Sequence, residues 1–166
     1  MRAFFSGIRG MNAASVITKQ TVVIGLKAST KESAIEELMD VLVASGQIKD
    51  RAAALKAVMD RERKMSTGLQ SGIAIPHGKT DTVDTIAAAI GIKKEGLPFD
   101  SLDGLPAQII VLTVSPTSKP GPHIQFLAEI SKALADPAVR EQLLNAQSAD
   151  AVVEVFCHDK AGLAAA

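Results

Sequence analysis

The chain contains no tryptophan and no tyrosine, and only five phenylalanines. The aromatic platforms on which single-stranded nucleic acids stack are therefore missing. Charge of either sign is also missing in excess, because 18 basic and 18 acidic residues cancel. That excludes a surface for nucleic acid or anionic lipid built from bulk charge. A single cysteine, Cys157, rules out an intramolecular disulfide and favours a reducing, cytoplasmic setting. It follows the apolar run from Val152 to Phe156 and reads as a small buried hydrophobe. No apolar run reaches the length of a membrane span, since Gln108 to Val114 is only strand-length, so no direct membrane insertion is expected. There is no Gly-x-Ser-x-Gly elbow and no glycine loop of the Walker or dinucleotide type. His77, His123, Cys157 and His158 lack the close paired spacing of structural zinc, so no metal is expected.

What is present is a chain of 166 residues, 47% of them apolar, long enough for one domain with a real core of Ala, Val, Ile, Leu and Met. Residues 1–31 carry Arg2, Arg9, Lys19, Lys27 and Lys31 with no acid before Glu32, a faint echo of a targeting peptide. Arg9 and Asn12 interrupt any secretory apolar core. The expected organisation is a loose extension over residues 1–15, of which 1–10 read as upstream of a start at Met11. A domain over 16–157 and a flexible tail over 158–166 follow.

Inside the domain the pattern alternates without repeats or a splitting linker. The β-branched run from Thr21 to Leu26 predicts a first strand. Ser29 and Glu32 have the spacing of a capping box. Ala34, Ile35, Leu38, Met39, Leu42 and Val43 then recur with helical period up to Gly46. Asp50 is placed to cap a second helix with Leu55, Val58 and Met59 on its apolar face, ending in the charged Arg61-Glu62-Arg63-Lys64. Ser66-Thr67-Gly68 reads as a loop. Strands are expected near 72–76, 86–92 and 108–114, the last apolar on both faces and hence an inner strand. Turn chemistry separates the last two, at Gly96-Leu97-Pro98-Phe99-Asp100 and Asp103-Gly104-Leu105-Pro106. Three helices should close the chain: one from Pro122 with Ile124, Leu127, Ile130 and Leu134, one capped by Asp136 before Pro137, and one capped by Ser148. The fold class is α+β, a three-layer α/β/α arrangement with a small mixed sheet flanked by helices.

The segment Gly72-Ile73-Ala74-Ile75-Pro76-His77-Gly78 is the most informative in the chain. It sets one imidazole at the end of a short strand, between a residue with fixed φ and one without a Cβ. Such a histidine suits a nucleophile that accepts a bulky group and gives it away. His123, in the first turn of a helix opened by Pro122, lies where unpaired N–H groups and the helix dipole favour an anion.

Three segments now agree in order and spacing: Arg61-Glu62, Ser66-Thr67-Gly68-Leu69, and Gly72 to Lys79. Together with Gly121-Pro122-His123, they resemble the active-site signature of the fructose/mannitol-type enzyme IIA domains. These belong to the bacterial phosphoenolpyruvate-dependent phosphotransferase system, and the nitrogen-regulatory IIA proteins are among them. The resemblance runs from about Val16 to Phe156; Gln70 departs from it, where many members carry a small residue.

The resemblance implies a phosphotransferase component without a cofactor. His77 matches the phosphorylated histidine, charged by the phosphocarrier HPr and discharged to a IIB domain or kept as a signal to regulated targets. His123 matches a second histidine that supports the phosphoryl group without carrying it, and Arg61 an arginine that neutralises its charge. Thr67, Gly68 and Gly78 are then expected to donate hydrogen bonds to phosphate oxygens. With no permease or IIB segment in the chain, a regulatory role is expected ahead of sugar uptake. A shallow docking rim is expected from Leu69, Ile73, Ile75 and the 116–122 loop, with Asp81 and Asp84 steering a basic partner.

Overall fold

The computed structural model describes residues 13–165. Of the extension expected over residues 1–15, residues 1–12 lie outside that range. A short helix α1 (Ala13–Val16) and a 3-10 turn (Lys19–Thr21) lead into β1 (Val22–Ile24). Ala13 is already buried, so the packed unit begins ahead of the expected boundary at 16. Helices α2 (Lys31–Ala44) and α3 (Arg51–Lys64) follow, then β2 (Ile73–Ala74), β3 (His77–Thr80), β4 (Ala87–Leu97) and β5 (Ala107–Pro116). Helices α4 (Pro120–Leu134), α5 (Pro137–Asn145) and α6 (Ala149–Ala165) end the chain. Residues 158–165, expected as a tail, thus continue α6.

The sheet is mixed, as expected. β4 lies between β1, which is parallel to it, and the antiparallel β5. The far edge of β5 carries two short parallel partners in succession, β2 and then β3. A proline causes that division. Pro76 has no N–H to give to the ladder, so pairing stops after Ala74 and resumes at His77. The carbonyl of Pro76 still accepts from Thr113 N–H at 3.0 Å and keeps the edge closed. His77 therefore opens a strand rather than ending one.

β5 is the inner strand anticipated, buried along nearly its whole length. On one face Ile110, Leu112 and Val114 pack with α2 and α3, through Ile35, Leu38, Met39, Leu42, Ala54 and Val58. On the other, Ile109 and Val111 pack with Phe126, Ile130, Leu134, Leu143 and Val152 of α4, α5 and α6. Two apolar cores on either side of one sheet make the three-layer architecture.

Local chemistry explains the helix starts. Asp50 accepts from Ala53 N–H at 3.0 Å, Asp136 from Ala138 N–H at 2.9 Å, and Ser148 from Ala151 N–H at 3.1 Å. The first long helix differs from expectation by one residue. Thr30, not Ser29, is its N-cap, and Thr30 and Ser33 exchange two 3.1 Å bonds between side chain and backbone. Burial of Ala28 and the bonds from the backbone N–H groups of Lys27 and Ala28 to Glu37 fix where the chain turns into the helix. Cys157 is exposed, contrary to the buried role expected of it. α6 buries Val152, Val155 and Phe156, and one further step of about 100° carries the next residue off that face.

Candidate active site

β3 and α4 meet at the C-terminal end of β5. β3 brings His77 beside Thr113, and Lys79 beside Ser115. Because alternate residues of a strand share a face, His77, Lys79, Thr113 and Ser115 all point to the α4 side of the sheet. Along β5 that face changes from the apolar Ile109 and Val111 to two hydroxyls. α4 then lays His123 over the polar end.

His77 is half-buried, and its Nδ1 lies 2.9 Å from the carbonyl oxygen of Ile75. A carbonyl can only accept, so Nδ1 carries the ring proton and Nε2 keeps a free lone pair. Burial lowers the pKa of His77 below its ordinary value, and the charges of Arg61 and Lys79 push the same way. The Ile75 carbonyl and the Glu62 carboxylate oppose them. The ring is therefore neutral, with a nucleophilic nitrogen, at neutral pH.

His123 is buried, its ring centroid 5.5 Å from that of His77 and tilted by 53°. Its Nδ1 is 2.6 Å from Ser115 Oγ. Burial first, then the neighbouring His77 and Lys79, lowers its pKa to about 4. The helix that carries it begins earlier than expected, at Pro120 rather than Pro122. The N–H of His123 consequently donates to Lys119 O at 3.4 Å. Since Pro120 and Pro122 have no N–H, the first turn offers an anion little beyond Gly121. His123 contributes through its ring, not through an open helix terminus.

Arg61 lies in the last turn of α3, where Nη1 donates to Met65 O at 2.9 Å and its charge reaches His77. Of the three residues expected to donate to phosphate, two have their donors engaged elsewhere. Thr67 gives its N–H to Glu62 Oε1 at 2.9 Å and its hydroxyl to Glu62 Oε2 at 2.6 Å. Gly68 gives its N–H to Ser66 Oγ at 3.1 Å, and a Cβ there would collide with Phe99 O at 2.7 Å. Gly78 faces α3, whose backbone passes so close that a Cβ would sit 2.7 Å from Val58 N. These residues fix the walls of the site.

Sequence reading missed two contributors, Lys79 and Ser115. Lys79 had only its nearness to His77 in the chain as a signal, because the strand that carries both is not legible in the sequence. Ser115 had none, since its place depends on how β5 pairs. Ile73 and Ile75 are buried and so form no rim, whereas Met65 and Ile124, next to Lys64 and His123 in the chain, are the exposed large hydrophobics there.

With this geometry in hand, the comparisons are specific. The family described as "Phosphoenolpyruvate-dependent sugar phosphotransferase system, EIIA 2" matches residues 15–158. The chain is 41% identical over 128 residues to the fructose-specific EIIA component of Haloferax volcanii, covering 77% of this chain and 83% of that protein. It is 36% identical over 151 residues to the fructose-specific EIIABC component of Bacillus subtilis, covering 90% of this chain but only 24% of that longer protein. Among solved structures, the nitrogen regulatory protein IIA-Ntr of Neisseria meningitidis superposes with a TM-score of 0.80 at 26% identity, covering 86% of this chain and 97% of that one. No described helix is long and apolar enough to cross a membrane.

Proposed function

The chain belongs to the EIIA 2 family of the phosphoenolpyruvate-dependent sugar phosphotransferase system, and we propose that it works there as a phosphohistidine carrier, taking the phosphoryl group on Nε2 of His77. The observation that carries this reading is the 2.9 Å bond between His77 Nδ1 and Ile75 O. It makes Nε2 the nitrogen with a lone pair. In transfer, that lone pair attacks the phosphorus of a phosphohistidine on an HPr-like donor. The new P–N bond forms as the donor's breaks, and the donor nitrogen recovers its lone pair.

Bonds of the same type are made and broken, so the step asks for alignment and charge stabilisation rather than for a metal. Arg61 and Lys79 supply positive charge and His123 a hydrogen-bond donor, which together meet the charge spread over the equatorial oxygens. His123 supports the group without carrying it, because its ring is buried where that of His77 is only half-buried.

Downstream, identity favours sugar uptake through a IIB acceptor. The chain is 41% identical to a fructose-specific component and 26% to the nitrogen regulatory protein. The regulatory role expected from the sequence is the second reading, supported by the 0.80 TM-score with that regulatory structure. Incubation with phosphoenolpyruvate, enzyme I and HPr should add one acid-labile phosphate, and His77→Ala should abolish it. Acid-stable phosphate, or full labelling of the alanine variant, would refute the assignment. Transfer onward to a purified fructose-type IIB domain separates uptake from regulation.

A further inference from the structure

Ser115 is fully buried near the end of β5, and its Oγ lies 2.6 Å from His123 Nδ1. A hydroxyl can donate to a ring nitrogen or accept from it, so distance alone leaves two arrangements. The surroundings decide between them. If Nδ1 carried the ring proton, Ser115 would accept it and its own hydroxyl hydrogen would need another acceptor. Among the described residues, His123 is the only bonding partner of Ser115 Oγ. That hydrogen would be buried without a partner, an expensive arrangement, whereas an unused lone pair on oxygen is tolerated more readily. The hydroxyl therefore donates to Nδ1.

We infer that Ser115 is a positioning residue: its hydroxyl holds His123 in the Nε2–H form, so that the ring presents a donor to a phosphoryl group on His77. The inference rests on the phosphocarrier reading for its functional half and on hydrogen-bond satisfaction for its structural half. A neutral imidazole has one N–H, and placing it at Nδ1 would turn the lone pair of Nε2 toward phosphate oxygens, which repel it. His77 and His123 are thus complementary. A carbonyl forces the proton onto Nδ1 of the first, and a hydroxyl donor forces it off Nδ1 of the second. One ring becomes the nucleophile and the other the donor.

Long-range proton–nitrogen NMR on the uniformly labelled, unphosphorylated protein reads the tautomers directly. His123 should show a bare Nδ1 and a protonated Nε2, the reverse of His77. Ser115→Ala should mix the two forms of His123. With phosphorylated HPr as donor, it should lower kcat on the order of tenfold with KM little changed, since the lost interaction is made in the transition state. Ser115→Thr, which keeps the hydroxyl, should restore both. A proton on Nδ1 of wild-type His123 overturns the inference, as does a Ser115→Ala variant with unaltered tautomer and kcat. The wild-type spectrum decides the structural half even if Ser115→Ala fails to fold. Failure of wild-type His77 to accept phosphate would overturn the function proposed above, and the spectrum would still judge the tautomer.

Discussion

His77 and His123 lie with ring centroids 5.5 Å apart, each held at Nδ1, the first by the Ile75 carbonyl and the second by the Ser115 hydroxyl. The same ring atom is anchored in both, but to partners of different capability. Two neutral imidazoles so close would be redundant if they were alike. Their anchors make one an acceptor and the other a donor, the pairing a transferring phosphoryl group needs.

Burial of a neutral ring links the site to stability. The pKa of His123 falls from an ordinary 6.5 to about 4 on folding. Between those values the unfolded chain binds more protons than the folded one, so stability falls as pH falls through that window. The stabilising contribution is complete above 6.5 and largely lost near 4. His77, shifted in the same direction, adds to it. Chemical denaturation between pH 7.5 and 4.5 should reveal a loss on the order of 2–3 kcal/mol from His123. His123→Phe should flatten the slope, and an equally steep slope in that variant would contradict the assignment.

Glu62 is the buried carboxylate behind the site. Its two oxygens take both donors of Thr67, and Lys31 Nζ lies 3.3 Å from one of them. Glu62→Ala would leave the two Thr67 donors without a partner, while Lys31 keeps Asp100 at 2.9 Å, at a cost of about 2–4 kcal/mol. Glu62→Gln, which keeps one acceptor oxygen, should cost less. The two variants are compared by urea unfolding. Equal stability of wild type and Glu62→Ala would mean the clamp contributes nothing.

Gly78 and Gly121 flank the two histidines, with opposite surroundings. A Cβ on Gly78 would lie 2.7 Å from Val58 N and 2.8 Å from Ala57 C, so α3 would have to move. Gly78→Ala should cost about 1–3 kcal/mol by overpacking. Transfer should also slow, because α3 carries Arg61. At Gly121 an added Cβ meets nothing within 4 Å beyond its neighbours in the helix. Gly121→Ala should be close to neutral, because the entropic gain of about 0.5–1 kcal/mol is offset by the clash of a new Cβ with the ring of Pro122 that follows it in α4. Thermal unfolding of the pair tests both, and a neutral Gly78→Ala would show that α3 yields easily.

The features legible in the sequence were those that act over a few residues. Asp50, Asp136 and Ser148 cap the helices assigned to them because a cap needs only the backbone just after it. β5 was visible as an apolar run suited to burial on both faces. β3 escaped because His77-Gly78-Lys79-Thr80 has no apolar alternation, and only pairing with distant β5 makes it a strand. The same long-range pairing brings Ser115 and Lys79 to the site. Thr67 and Gly68 read as ligand donors in the sequence because the acceptors that occupy them, Glu62 and Ser66, look like ordinary helix-end and loop residues. The structure brings His77 and His123 together, as the resemblance implied.

Electrostatics offers a way to separate the two cations of the site. Lys79 lowers the pKa of both histidines, whereas Arg61 acts on His77. The difference follows from position, since Lys79 projects from β3 on the face that α4 covers and Arg61 lies at the end of α3. Removing a nearby positive charge makes protonation easier, so pKa should rise. NMR titration of Lys79→Gln should move both midpoints upward, while Arg61→Gln should move that of His77 and leave His123 near its wild-type value. The acid limb of phosphoryl acceptance reports His77 in the same way. It should shift to higher pH in both variants, because a protonated Nε2 has no lone pair to attack with. Both effects should weaken as salt is raised, since Lys79 is exposed and its field is screened. An Arg61→Gln variant that shifts both rings equally would place the guanidinium between them. A Lys79→Gln variant that shifts neither would remove Lys79 from the site.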